Sequence, residues 1–400
     1  MRQLRGRSSQ VVYTGPVVFA KVRIALAFAA IFFALGMHMP YFPVWLQSRG
    51  YSAGAIGIVL GTITWMRVPA NPLIGRLSDR LGSVKAPAIV LAVLAASSYG
   101  LFGVTSSVWE VVAVGALLGV SYSPLIPLVD SVALRLGSTG TVNYGHLRLF
   151  GSAAFIVASN AGGWLLARGD EQDVLDSLRI AGVVVVAAVV LMPRRGPKPS
   201  KPAQLGAPKR SHVRFLLTTG LLHAAHAMLY AFGTAHWRAH DVPDTTIGQL
   251  WSVGVVAEIV LFAMSGRVQR TLGSTGLLTL AAIGGLARWP LLAMTTDPSS
   301  LFAIQILHGL TFGALHLGAI AYVQERVDER ATATVTSLYA ASTGVGSGLM
   351  MLGAGPLYDH LGGSAFFVMA GISALGLVGA RVIAGHSDDV DTSPPNKSAE

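Results

Sequence analysis

Residues Pro124–Gly151, PLIPLVDSVALRLGSTGTVNYGHLRLFG, decide how this chain is read: two apolar runs flank a small polar turn, and each carries a charge at matched distance from it, Asp130 and Arg148. With the turn at Gly137–Thr141, each charge lies seven residues away. Two antiparallel helices then place both about 10 Å below the loop, at 1.5 Å per residue, where they can face one another. A lone carboxylate or guanidinium in a membrane helix costs roughly 2.5–3.5 kcal/mol on insertion scales. Opposite charges at one depth therefore point to a pair beside a water-filled cavity.

The composition agrees with a membrane setting. The 400 residues are 52% hydrophobic and 12% charged, with mean hydropathy +0.58, too apolar and too long for one soluble core. The net charge of +10 sits in short loops rather than on one amphipathic face. It reports topology in a lipid bilayer, and no nucleic-acid partner is expected. The absence of cysteine excludes disulfides, iron–sulfur clusters and thiol catalysis, and no cofactor is expected.

The N-terminus, MRQLRGR, is basic, and the apolar run from Ile24 to Leu46 has no small-residue cleavage site, so it reads as a retained helix rather than a signal peptide. Runs near the twenty residues that a bilayer requires predict helices at 23–46, 53–76, 86–105, 107–136, 144–167 and 177–192, then 215–236, 247–268, 276–294, 300–324, 332–354 and 364–384. Twelve spans result. Arg194–Arg214 holds seven Lys or Arg and no acid and is cytoplasmic by the positive-inside rule. By alternation both termini are cytoplasmic, and Arg168–Arg179, with four acids against two arginines, is external. The expected organisation is a six-helix bundle (1–193), a basic cytoplasmic linker (194–214), a second six-helix bundle (215–385) and a polar, disordered cytoplasmic tail (386–400). The expected setting is the cell (inner) membrane, and the expected oligomeric state a monomer.

Gly75, Arg76, Leu81, Gly82 and Ser83 recur as Gly266, Arg267, Leu272, Gly273 and Ser274, each displaced by 191 residues, which indicates two related halves. The first copy, GRLSDRLGSVK, resembles the loop motif of the major facilitator superfamily, with Gly75, Asp79, Arg80 and Gly82 on the motif positions. The resemblance implies an all-α fold of two pseudosymmetric six-helix bundles and a gating role for these four residues. Glycines there let helices approach, and Asp79 is suited to accept from helix N-termini or an arginine in one conformation. The second copy has Arg270 where the first has Asp79, so a charge gate is expected in the first half only.

Spacing locates further buried charges. Glu258 and Arg288 lie fifteen residues on either side of Gly273, and Arg288 and His308 ten on either side of Pro298. The three share one depth, about 22 Å from one loop and about 15 Å from the other, near mid-membrane. Arg67 is a fifth charge, and its neighbours Trp65, Pro69 and Pro72 predict a broken or kinked helix beside the cavity.

The runs VDSVA, YGHLRLFG, AEIV, ARW and LHGLTFGALHLGAI look like the proton-symporter branch that includes the lactose and phenylpropionate permeases. That resemblance spans all twelve predicted helices. It matches Asp130 and Arg148 to a substrate-cavity acid and arginine, and Glu258, Arg288 and His308 to the charged group of the second half. A further acid of the lactose permease, one turn after the matching histidine, is replaced by Thr311. Residues within YFPVWLQSRGYS, with Arg67, Arg288–Trp289 and the His308/His316 stripe, are more similar to the phenylpropionate permeases.

Three arginines against two acids leave one positive charge for an anion. Arginine offers a carboxylate a bidentate fork, and Trp65, Trp289 or Tyr41 can stack an apolar body. The plainer alternative has Arg67 bound to a carbonyl and the tryptophans facing lipid. Glu258 is the candidate proton carrier, since a buried carboxyl holds a proton more readily and an approaching arginine expels it. His308 and His316, eight apart around Phe312, suit a relay or a substrate contact; for His316 and for His223/His226 a packing role is the favoured reading. The proton-coupling candidates are therefore Glu258, Arg288, His308 and Asp130. The substrate candidates are Arg67, Arg148, Asp130, Tyr41, Trp65, Trp289 and His316. The function expected is a transporter, not an enzyme, that imports a small organic solute with a proton by alternating access, an aromatic or other monocarboxylate being the first class and a sugar or nucleoside the alternative. A more remote alternative is an intramembrane metalloenzyme built on His236-Trp-Arg-Ala-His240; otherwise no metal is expected.

Overall fold

Runs of apolar residues long enough to span lipid leave their backbone no hydrogen-bonding partner but itself, and the chain answers with helix. In the computed structural model, residues 17–137, 144–193, 209–328 and 331–385 are described. Helix makes up 89% of the structure, and the described residues hold no strand. The first half consists of α1 (Val17–Ser48), α2 (Ala53–Leu81), α3 (Lys85–Phe102), α4 (Val108–Leu136), α5 (Tyr144–Leu166) and α6 (Gln172–Leu191). The second consists of α7 (Arg210–Arg238), α8 (Asp244–Ala263), α9 (Ser265–Met294), α10 (Pro298–Arg326), α11 (Thr332–Leu361) and α12 (Ala365–Gly385). Eleven stretches are long and apolar enough to cross a membrane; the last, of 52 residues, is α11 and α12 joined by a tight turn at Gly362–Ser364. Twelve crossings follow, with α1 beginning and α12 ending on one face, called here the terminal face.

Caps fix several helix starts. Ser107 and Glu110 form a reciprocal capping box on α4, and Asp297 caps α10 ahead of Pro298, each satisfying amides that would otherwise be bare. Interruptions are as informative. α4 breaks at Ser123–Pro124 and α7 at Ala225–His226, while α10 turns at Leu307 and widens into a π-helical turn over Gly309–Ala314. Irregular backbone at membrane depth is tolerated where it is buried in protein or lines a cavity, and these three helices carry Asp130, His226 and His308. By contrast α2 runs as one continuous helix through Pro69 and Pro72, so of the broken or kinked helix that the sequence predicted, the break is absent. α7 begins at Arg210, so residues 210–214 of the expected linker are helical. The turn at 138–143, linker residues 194–208 and the tail from 386 lie outside the described residues.

Within the first lobe α1 packs on α5 and α6, α2 on α4 and α3 on α6; within the second α9 packs on α10 and α12, and α7 on α11 and α12. Between lobes the seams are α2–α11, α5–α8 and α1 against the second half of α7. At the terminal face each lobe has its own apolar core, one around Phe28, Leu128 and Val189, the other around Phe215, Leu278 and Tyr322. At the opposite face one core runs through both lobes, from Tyr41 and Trp45 to Trp237, Trp251 and Phe366. The lobes are thus joined at the opposite face and parted at the terminal face.

Small residues make the joined seams possible. A Cβ on Gly57 of α2 would stand 2.7 Å from the Met351 carbonyl oxygen of α11, and one on Gly248 of α8 would stand 3.0 Å from Asn160 Cα of α5. Polar groups add to the α5–α8 seam: the Ser159 and Ser252 hydroxyls lie 3.0 Å apart, and Asn160 Nδ2 donates to Ser252 Oγ at 2.6 Å. Beyond them Arg238 meets Glu171 of the other lobe at 2.9 Å and Asp244 at 2.8 Å.

The internal repeat has a backbone counterpart. Gly82 and Gly273 both take φ 60, the left-handed region that glycine enters without the Cβ penalty. Gly82 ends α2, its N–H reaching the Asp79 and Ser78 carbonyls. The close helix approach expected at Gly75 is not there: a Cβ on Gly75, or on Gly266, would meet nothing within 4 Å. Asp79 forms no ion pair with a described residue, and Arg80 is exposed. Both facts follow from the parted terminal face, where a motif built to join helices has nothing to join.

Candidate functional site

The second lobe gathers its charges into one hydrogen-bonded chain. Arg288, on α9, is 0% exposed. Its Nη1 donates to His308 Nδ1 and to Thr311 Oγ1, both at 2.8 Å, and its Nη2 to Gln305 Oε1 at 2.7 Å. Gln305 is itself held, donating from Nε2 to the Leu250 carbonyl at 3.1 Å. Since a guanidinium only donates, His308 Nδ1 must accept, which leaves the ring proton on Nε2. That nitrogen lies 2.7 Å from Glu258 Oε1, so a neutral imidazole donates to the carboxylate. Glu258 keeps 16% of its side chain exposed while Arg288 keeps none, so a proton from the cavity reaches Glu258 first. Arg288 acts on Glu258 through His308 rather than by the direct pairing the sequence suggested.

The first lobe is arranged differently. Asp130 and Arg148 make no ion pair within 4 Å. The Tyr144 hydroxyl donates to Asp130 Oδ1 at 2.8 Å and interacts also with Arg148, one turn further along α5. The Arg148 guanidinium lies over the Phe32 ring at 3.9 Å, and its charge acts on Glu258 and His316 of the other lobe. These half-buried groups therefore face one another across the gap between the lobes.

Arg67 enters that gap from α2. Its stem runs beside Gly344 of α11, and the groups that act on it are Tyr230 and Tyr339. No hydrogen bond or ion pair joins Arg67 to another described residue, and its Nε is buried without an acceptor. His223 bonds the Tyr339 hydroxyl at 3.1 Å. Tyr230 stacks on His226 at 5.7 Å, and His226 lies 6.1 Å from Phe312, itself stacked between His308 at 5.4 Å and His316 at 6.4 Å. His316 thus belongs to the aromatic stripe and also feels Glu258.

Two aromatic candidates are fully buried away from the cavity, and a third, half-buried, sits in the α2–α11 seam. Tyr41 is fully buried, its hydroxyl donating to the Ser159 carbonyl inside the joined face. Trp289 is equally buried, bonded to Ser373 of α12 at 3.0 Å and lying under His226 and beside Arg288. Trp65 packs on Gly348 in the α2–α11 seam, its Nε1 buried without a partner. Large apolar rings hold the lobes together as readily as they bind a solute, and helical spacing alone does not separate the two uses. Gln305, Tyr144 and Tyr230 escaped the sequence reading, although Gln305, His308 and Thr311 recur every third residue on α10 and Tyr144 sits one turn before Arg148. His236 Nδ1 bonds Tyr358 at 3.2 Å, and among the described residues no group of three or more His, Cys, Asp or Glu could hold a metal ion.

Residues 22–369 match the profile of the MFS_1 like family, and the chain belongs to that family within the major facilitator superfamily. It is 32% identical to the probable 3-phenylpropionic acid transporter of Escherichia coli strain K12, over 87% of this chain and 93% of that one. It is 29% identical to the maltose permease of Geobacillus stearothermophilus, over 82% and 84% of the two chains. The fold superposes on a mutant of the nucleoside transporter NupG with TM-score 0.82 at 14% identity, covering 91% of this chain and 99% of that one. The chain is a multi-pass membrane transporter.

Proposed function

We propose, with that membership as the premise, that the protein imports a small organic monocarboxylate together with a proton, rocking two lobes about a site near mid-membrane. The observation that carries this reading is the Glu258–His308–Arg288 chain beside a cavity that holds more guanidinium than carboxylate groups. Arg288 keeps His308 from taking a second proton, because a protonated ring would point an N–H at a guanidinium N–H. The proton that crosses is therefore carried on Glu258. Protonation removes the buried negative charge and weakens the acceptor that holds His308, which loosens the tie between α8 and α10. Deprotonation restores it. A ligand can shift the lobes only by its differential affinity for the two arrangements, and a carrier that reorients with Glu258 neutral and the anion bound couples the two fluxes.

In this reading residues 1–193 and 215–385, the latter extended by the helical 210–214, form the lobes, and the terminal face with both termini is cytoplasmic, in the cell (inner) membrane. The carrier acts as a monomer, with the cavity open inward. The named acid of the Escherichia coli relative supports a carboxylate, and the maltose and nucleoside names of other relatives make a sugar or nucleoside the second reading. Uptake into proteoliposomes separates them: 3-phenylpropionate should accumulate under an inward proton gradient and not under a sodium gradient. Saturable uptake of maltose or uridine with none of the acid would reverse the choice of substrate.

A further inference from the structure

The two lobes carry opposite charges at equivalent places. Gly82 and Gly273, the matched left-handed glycines of the repeat, are each preceded by fifteen residues by a half-buried ionisable group: Arg67 on α2 and Glu258 on α8. The displacement is again 191, so the two stand at the same depth on corresponding helices. Their surroundings differ. Glu258 acts on Arg288 and Arg148, and Asp130 acts on Arg148. No ion pair or hydrogen bond joins Arg67 to another described residue, its Nε is buried without an acceptor, and its nearest ionisable neighbours are Tyr230, Tyr339 and His223 rather than a carboxylate. The surplus positive charge of the cavity is therefore Arg67. Arg288 is fully buried with both terminal nitrogens engaged, and Arg148 is stacked on Phe32 and balanced by two acids. An uncompensated guanidinium at membrane depth is costly, and a carboxylate is the complement its planar fork fits.

We propose that Arg67 is the residue that receives the substrate's carboxylate, as the pseudosymmetric counterpart of the Glu258 proton site. Tyr230, stacked on the buried His226, lies within electrostatic reach of Arg67, Glu258 and Arg288, and with the half-buried Phe312 it offers a wall for an aromatic body. An anion on Arg67 and a proton on Glu258 discharge matching positions in the two lobes, so the fully loaded carrier presents neither charge when it reorients. This assignment rests on the monocarboxylate reading above and is tested separately from it.

The test measures binding of 3-phenylpropionate and of its neutral amide to the full-length protein and to R67Q. Wild type should prefer the acid, and R67Q should lose about 100-fold in affinity for the acid while binding the amide as wild type does, the scale of a charge-assisted, two-point hydrogen bond. Retention of the wild-type preference by R67Q would overturn the assignment and leave the substrate reading intact. Wild type that binds neither compound, while still binding a sugar or nucleoside, would remove the substrate reading and the assignment with it. A second measurement needs no variant: the acid, not the amide, should shield Arg67 of the wild-type protein from phenylglyoxal, read by peptide mass. Shielding of Arg148 in place of Arg67 would contradict the proposal.

Discussion

In the first lobe an acid and an arginine are kept apart by a tyrosine, whereas in the second an acid, a histidine and an arginine are hydrogen-bonded end to end. Tyr144 donates to Asp130 at 2.8 Å while Arg148 rests on Phe32. Glu258, His308 and Arg288 are linked at 2.7 and 2.8 Å, with Gln305 and Thr311 also accepting from the guanidinium's terminal nitrogens. The contrast teaches that buried charge has two uses here. A tightly bonded chain fixes protonation states and moves one proton, while a looser, tyrosine-bridged pair leaves its arginine able to act across the cavity on the other lobe.

The contrast breaks most visibly at Arg288. R288A strips partners from His308, Thr311 and Gln305 and leaves Glu258 without its buried counter-charge. It should destabilise the protein by about 3–5 kcal/mol, the cost of breaking a buried ionic group by removing one member, seen as a lowered unfolding temperature in detergent. R148A should fall well short of that, since Arg148 has no direct ion partner. Equal losses would remove the distinction between the lobes.

A smaller effect belongs to Gln305, which orients Arg288 against the Leu250 carbonyl. Q305L leaves a buried guanidinium nitrogen unpartnered, a loss of about 3 kcal/mol at the upper end for hydrogen bonds to charged groups. Thermal unfolding measures it, and an unchanged melting temperature would show that Arg288 is held without it. Smaller again is Y144F, expected to cost about 1.5 kcal/mol because its bond to Asp130 is only partly buried. A double-mutant cycle of D130N with R148Q should show coupling in the wild-type background and much less in Y144F. Coupling that survives Y144F would mean the charges meet directly.

The smallest effect is at the joined face, where Arg238 bridges Glu171 of the first lobe and Asp244 of its own. Partly exposed ion pairs contribute about 0.2–1 kcal/mol, so E171Q should raise the population open at this face by no more than about fivefold. The chain has no cysteine, so a single V242C, buried in the joined core and lining one pocket with Arg238, reports opening by its labelling rate. Unchanged labelling would relieve the bridge of any part in holding that face shut.

Twelve crossings were legible because a bilayer imposes a length on every apolar run, and Glu258, Arg288 and His308 because charges in such runs are few and can be counted from Gly273 and Pro298. Neutral polar residues give no such signal: Gln305 and Tyr144 read as ordinary occupants of apolar helices until their partners are known. Tyr41 and Trp289 were assigned to the cavity because size and aromaticity serve packing and binding alike. The missing information was helix phase, which the breaks in α4 and α7 and the π-helical turn of α10 reset within each span. Gly75 was assigned to a helix contact that the parted terminal face does not make, since one sequence serves both arrangements of the lobes.

The central claim is that the crossing proton rides on Glu258, and it is tested most directly by E258Q in paired assays on one vesicle preparation. The amide imitates the protonated carboxyl and cannot release a proton. Counterflow exchange of substrate should persist at a rate comparable to wild type, because loaded carriers still cycle in both directions, while accumulation driven by a proton gradient should vanish. Gradient-driven accumulation by E258Q at the wild-type level would contradict the account.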